Sequence, residues 1–267
     1  MADRADSDSR PPNRTAEVDV LGIPVRAGPV GMVEAEIRGY LSDSWDGRCR
    51  HVATVNPEYV MAARTDPAFA AALRSADLNT IDGVGVLLAA RLLSPAGKRA
   101  ERLSGVHLVE SLTSTSGNDG APIFFLGAGP GVAEAAIDKL CSRWPDALVA
   151  GSWDGGRPES ADDAEALERI GASGARTLFV AYGAVGQVTF IERNRDRLAQ
   201  VGVRLAIGIG GSLDMISGKT PRAPQIVQRV GLEWLYRLAI EPWRWRRQLA
   251  LPRFAALVVW HRLAGKT

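Results

Sequence analysis

Short apolar runs recur along this chain, each closed by a turn signal and followed by a stretch of helical periodicity: HVATVN (51–56), LNTI (78–81), IFFLG (123–127), LVAGSW (148–153), TLFVAYG (177–183) and RLAIGIGG (204–211). Four or five of these read as buried strands, because they lack the polar alternation of a half-exposed sheet. Helices are expected at GMVEAEIRGYL (31–41), from Pro57 through Ala63, from Pro67 to about Ser75, at VLLAARLL (86–93), from Val132 to Arg143, across 162–170 and from Gln187 to Arg197. Alternation of this kind specifies an α/β domain with a mainly parallel sheet flanked by helices. VDVLGIPV (18–25), ahead of the repeat, reads as a short strand and turn. With 267 residues, 46% of them hydrophobic, the chain can bury a large single core, and a collagen-like, disulfide-framework or wholly disordered chain is excluded.

Charge is unevenly placed. From Lys219 to Thr267 ten Lys/Arg face two acids, a balance of +8, which leaves the rest of the chain at −6 within a net charge of +2. Trp234, Trp243, Trp245 and Trp260 lie among those arginines, and Pro224, Pro242 and Pro252 break the segment into short helices. Three parts follow: a polar, disordered segment at 1–16, an α/β domain at 17–211, and a basic helical appendage at 212–267 suited to a polyanion or an anionic membrane surface. No run of eighteen or more residues is apolar and uncharged, and the N-terminus is polar, so neither a span nor a secretory signal is visible. The expected location is cytoplasmic. Cys49 and Cys141 stand outside any metal-ligand spacing, and His51, His107 and His261 have no partner at a recognisable interval, so no metal site is expected.

Ligands of parallel α/β sheets gather at the carboxyl ends of the strands. Thr54, Asn56, Asp82, Gly127, Gly129, Gln187 and Asp214 fall there. Asp82 is either a carboxylate that accepts a proton from a hydroxyl or a helix cap. Asn56 is either a sugar contact or a cap before Pro57. FLGAGPGVAE (125–134) offers backbone N–H groups to a diphosphate, although tight-turn geometry explains the same glycines. Val132 stands where the third glycine of a dinucleotide motif belongs, which disfavours nicotinamide binding. Gln187 is a ligand contact or a helix-start residue, and Asp214 holds a base or ribose or closes a loop.

Taken in order, TVNPEYV (54–60), ADLNTIDGVGV (76–86), FLGAGPGVAE, YGAVGQ (182–187), IGIGGSLDMISGKTPRAP (207–224) and GLEWLYRLAIEPWRWRR (231–247) resemble the WecG/TagA/CpsF glycosyltransferase family across roughly residues 17–263. The resemblance implies a Rossmann-like core and a metal-independent, inverting enzyme without a cofactor. Such an enzyme transfers a sugar, of N-acetylmannosamine type or another hexose, from a UDP-sugar to a sugar on a polyprenyl diphosphate, in teichoic acid or other cell-surface polysaccharide synthesis. By this resemblance Asp82 is the base, Thr54 and Asn56 line the catalytic pocket, Arg102 in ERLSG offsets diphosphate charge, and Gln187 ends the Gly-Ala loop.

Arg222, Arg229, Arg237, Arg244, Arg246 and Arg247 are then expected to meet the lipid diphosphate or an anionic membrane on its inner face, where basic residues and interfacial Trp are favourable. The family's usual Gly-Ala-Pro-Lys-Gln-Glu run is Gly183-Ala184-Val185-Gly186-Gln187-Val188 here, and Val106-His107 replaces an aspartate after ERLSG. No nucleic-acid partner is expected, and self-association is left open. The rival classes are a dinucleotide-dependent oxidoreductase and a non-catalytic membrane adaptor.

Overall fold

The structure, a computed structural model, describes residues 15–155, 162–221, 223–224, 233–240 and 249–265. It opens with an antiparallel hairpin, β1 (Ala16–Val20) and β2 (Ile23–Ala27), in which Val20 pairs with Ile23. Leu21 and Gly22, the two-residue loop, both have positive φ (55° and 91°), the backbone that a tight hairpin turn demands. The strand expected here is therefore two strands, standing apart from the main sheet.

Six parallel strands form that sheet: β3 (Arg50–Val55), β4 (Leu78–Ile81), β5 (Ile123–Gly127), β6 (Val149–Trp153), β7 (Thr177–Ala181) and β8 (Leu205–Gly208), in the order β4-β3-β8-β7-β5-β6. Every neighbouring pair is parallel; the parallel α/β sheet is as the residue pattern implied, and the Rossmann-like architecture is as the resemblance implied. Alternate residues serve the two faces. Ile123, Phe125, Phe179, Leu205 and Ile207 pack under α1 (Val30–Gly39), α5 (Gly105–Thr115), α6 (Val132–Arg143) and α9 (Ser212–Ser217). Phe124, Leu126, Leu178, Val180 and Ala206 pack under α7 (Asp163–Ser173) and α8 (Ala184–Gln200). A further cluster on that second side joins the hairpin, α2 (Pro57–Ala63), α3 (Pro67–Ser75), α4 (Val84–Leu93) and, from the far end of the chain, Phe254 and Val258.

Three elements differ from the reading of the residues. Helix α5 was not expected: its Ser- and Thr-rich last turn is a weak helix signal, outweighed by burial of Val106, Leu108, Val109 and Leu112. Helix α8 begins three residues before Gln187, at Ala184. Pro252 does not break a helix but sits in the first turn of one, Ala250–Leu263, where its missing N–H costs nothing. With Glu233–Ile240 as α10 and Ala250–Leu263 as α11, these are the helices of the basic segment that the structure describes. Residues 1–14, read as disordered, lie outside the described residues; Ala16 is already in β1. Among the described residues no helix is long and apolar enough to cross a membrane.

Candidate active site

The carboxyl ends of β4, β3, β8 and β7 surround a cleft of about 260 Å³ whose walls include Thr54, Asn56, Asp82, Gly183, Ser212 and Asp214. Two local features bring the first two strand ends together. Asn56 is the N-cap of α2, its Oδ1 accepting from the Tyr59 N–H at 3.2 Å, with Pro57 in the first turn. Asp82 N–H donates to Val55 O at 2.9 Å. The glycines of IDGVG make room for this contact: a Cβ on Gly83 would lie 2.7 Å from Pro57 Cδ, and one on Gly85 2.8 Å from Pro57 Cγ. Gly83, not Asp82, is the N-cap of α4, so Asp82 stands one residue ahead of the cap position and lines the cleft. Asn56 is thus the cap that one of its two readings expected, and it lines the cleft as well.

A run of hydrogen-bonded side chains passes from the cleft wall into the core behind it. Gly210 N–H donates to Gln187 Oε1 at 2.8 Å, and Gln187 Nε2 donates to the Tyr59 hydroxyl in a short hydrogen bond. Tyr59 in turn is hydrogen-bonded to Thr54, whose Oγ1 donates to Gly208 O at 2.8 Å. The bonds link the Gly210 N–H to the Gly208 carbonyl two residues earlier. Gln187 is 0% exposed, so both ends of its amide are spent on protein. The structure thus places it behind the cleft wall as a brace, instead of on the wall as the ligand contact that was expected. Gly208 must be glycine for the brace to pass, since a Cβ there would meet Gln187 Nε2 at 2.8 Å. Burial, and after it the charge of Asp82, push the Tyr59 phenol above its ordinary 10.0, so it remains a donor at neutral pH. Tyr59 and Glu58, which also lines the cleft, were passed over in the sequence although both lie in TVNPEYV; Pro57 beside a strand end was the signal for them.

Across the cleft from Asp82 stands the N-terminus of α8. Its N-cap, Gly183, offers no side-chain oxygen, and its first turn carries no acid. Gly183 and Ala184 line the cleft, and the first intrahelical bond comes only at Gln187 N–H to Gly183 O, 3.0 Å. This turn is the segment in which Val185-Gly186 depart from the family run, so what it presents is backbone N–H and the helix dipole. Asp214, in the first turn of α9, lines the cleft 3.8 Å from Lys219 Nζ.

Other expected residues fall beside the cleft. A Cβ on Gly129 would lie 3.2 Å from Lys219 Nζ, which puts the β5–α6 turn next to that ammonium but off the cleft wall. Gly127 has φ of 90° and admits the Tyr182 ring, which a Cβ would meet at 2.7 Å; its explanation is packing. Arg102 precedes Leu103, whose N–H donates to Ile81 O at 2.8 Å, so its backbone runs along the end of β4 next to Asp82. His107, in the departure after ERLSG, bonds Glu34 at 2.9 Å through Nε2. Arg222, Arg229, Arg244, Arg246 and Arg247 lie outside the described residues, and Arg237 is on α10. Among the described residues no three His, Cys, Asp or Glu converge as metal ligands.

Residues 18–267 match the model of the Glycosyl transferase WecG/TagA/CpsF family. Two relatives carry the name N-acetylglucosaminyldiphosphoundecaprenol N-acetyl-beta-D-mannosaminyltransferase. The chain is 36% identical to that of Bacillus spizizenii (strain W23) over 215 residues, 80% of each chain, and 33% identical to that of Bacillus subtilis (strain 168) over 208 residues, 78% of each. The order of motifs along the chain and the extent of these matches lead to one assignment: the chain belongs to the WecG/TagA/CpsF glycosyltransferase family.

Proposed function

We propose that this protein is an inverting glycosyltransferase that moves N-acetylmannosamine, or a similar hexose, from a UDP-sugar to a sugar carried on a polyprenyl diphosphate. The product serves cell-surface polysaccharide or teichoic acid synthesis. Both relatives named above act, by name, on an undecaprenyl diphosphate-linked amino sugar.

The observation that carries this reading is the pairing of opposites across the cleft. A carboxylate, Asp82, flanks β4, while the uncapped N-terminus of α8 flanks β7. In the order β4-β3-β8-β7 these flanks are three strand spacings apart, about 14 Å. That span accommodates a sugar and the diphosphate behind it. Asp82 takes the proton of the acceptor hydroxyl as its oxygen bonds to the anomeric carbon, and the bond to UDP breaks, its electron pair leaving with the nucleotide. Attack from the face opposite the departing group inverts the configuration. The charge of the leaving diphosphate falls to the N–H groups of α8, to Lys219 and to Arg102, so the step needs no metal ion. Arg222, Arg229, Arg237, Arg244, Arg246 and Arg247 complete the picture on the lipid side, holding the enzyme at the cytoplasmic face of an anionic membrane as a peripheral protein.

The test is UDP release with a short-chain prenyl diphosphate sugar as acceptor, in buffer with and without EDTA. Asp82→Asn is expected to lower turnover by roughly 10²–10⁴-fold with UDP binding kept. Wild-type turnover by that variant rejects the base, and complete loss on adding EDTA rejects the metal-free step.

A further inference from the structure

Helix α11 is apolar around nearly its whole girth, and among the described residues one side of it packs against the fold while the other is largely exposed. Phe254 and Val258 are buried against α2 and α4, at 3% and 5% exposure. On the opposite side Val259, Trp260 and Leu263 are 51%, 57% and 80% exposed. A helix apolar all round belongs in a core or against lipid.

Its neighbour α4 repeats the pattern. The two helices pack together where a Cβ on Gly85 would lie 3.6 Å from the Phe254 ring. Val86, Ala89, Ala90 and Leu93 of α4 enter the same core cluster, while Leu88 and Leu92, one turn apart on its outer side, are 59% and 47% exposed. Gly85, Leu88 and Leu92 follow one another at i, i+3 and i+7, so α11 packs at one end of the side of α4 that carries the exposed leucines, and the apolar surface of the one continues into that of the other.

Charge decides what covers this face. Between Val84 and Ala100, and again between Leu249 and Gly265, there is no acidic residue, whereas Arg91, Lys98, Arg99, Arg253 and Arg262 are present and exposed. A second copy docked through the two helices would set these cations against themselves, with no carboxylate on either helix to answer them. An anionic lipid surface satisfies both halves of the pattern, the basic groups at the headgroup level and the leucines and tryptophan below it.

We infer that the outer face of α4 is, together with α11, a docking surface for an anionic bilayer, so that membrane binding extends beyond the C-terminal arginines into the α/β domain itself. This rests on the membrane-linked acceptor of the proposed function and adds where the bilayer sits. Leu88 is one turn into a helix that begins two residues after Asp82, so docking this face brings the cleft to the lipid surface.

The experiment uses the full chain and vesicles of phosphatidylglycerol mixed with phosphatidylcholine, with pure phosphatidylcholine as the comparison. Leu88→Ser/Leu92→Ser is expected to weaken binding to the anionic vesicles by roughly tenfold. Its thermal midpoint, its sedimentation mass and its turnover with a water-soluble short-chain acceptor should match the wild type. Lys98→Glu should weaken binding to the anionic vesicles and leave binding to the neutral ones as it was. Unchanged vesicle affinity in both variants overturns the inference. A fall in sedimentation mass in the leucine variant also overturns it, since the face would then be covered by a second copy. If the wild type binds vesicles through this face but releases no UDP with any lipid-linked acceptor, the proposed function fails while the docking surface stands.

Discussion

Tyr59 contributes one hydroxyl, and three segments depend on it. Its oxygen is the acceptor for the Gln187 amide, which holds Gly210 N–H, and Tyr59 is also bonded to Thr54, which holds Gly208 O. Tyr59→Phe keeps the ring in place against Phe69, 5.7 Å between centroids, but strands the buried Gln187 Nε2 without an acceptor. An unsatisfied buried donor costs about 1–3 kcal/mol, so the variant should unfold more easily by that amount and lose turnover as the Gly208–Gly210 turn loosens. Denaturant unfolding and UDP release on the same preparation check this. Equal stability in Tyr59→Phe and wild type would show that these bonds carry no weight. Little of this was legible in the sequence. Gln187 was recognised as a strand-end residue, but its partner Tyr59 is 128 positions away, and one-dimensional spacing carries no signal for such a pair. Asp82 and Asn56 were legible because strand ends followed by glycine or proline mark themselves locally.

Elements in this fold meet by backbone approach, and glycines mark the places. Helix α5 starts on the β8–α9 turn, where a Cβ on Gly105 would lie 2.6 Å from Ser212 Oγ and 3.0 Å from Ile209 O. Gly105→Ala should therefore cost about 1–3 kcal/mol by overpacking and displace Ser212 from the cleft wall. Gly39→Ala, at the end of α1 with nothing within 4 Å, should instead be neutral or gain about 0.5–1 kcal/mol. Paired thermal midpoints separate the two cases, and a Gly105→Ala midpoint equal to that of Gly39→Ala would contradict the close approach. Elements were legible where their pattern was strong: the helix expected from Val132 to Arg143 has those bounds, and the strands of the sheet fall in their apolar runs. The register and order of the strands were not, because β8 pairs with β3 and β7 through contacts that no local pattern encodes.

Across the whole molecule, the end of the sheet away from the cleft is held by ionic groups. Asp77 receives Arg50 at 3.1 Å and the His51 N–H at 2.8 Å, and Arg195 closes on it in a short contact. His51 itself is fully buried, with Nδ1 3.3 Å from Glu192 and Nε2 without a partner among the described residues. Burial first, against the pull of Glu192, holds its imidazole below the ordinary 6.5. The unfolded chain thus binds a proton below pH 6.5 that the folded chain refuses, and stability falls as pH drops through that point. Asp163 adds in the same direction at lower pH: although burial opposes its ionisation, its bonds to Arg193 at 2.6 Å and Asn194 at 2.7 Å hold its pKa down, and that support is lost when it protonates. Urea midpoints between pH 7 and 5 should decline, with a slope of up to about 1.4 kcal/mol per pH unit from His51, and His51→Gln should flatten the decline. An unaltered slope in that variant would point to other groups.

The position of β8 in the sheet also sets a schedule for the nascent chain. Among the described residues Leu205–Gly208 is the last strand to be synthesised, and it is the one that joins β4-β3 to β7-β5-β6. Until the ribosome has released it, the two halves have nothing to hydrogen-bond to at the seam, and β3 and β7 both offer bare edges to any passing strand. A chain that stopped short of Leu205 would lack the strand that seals this seam.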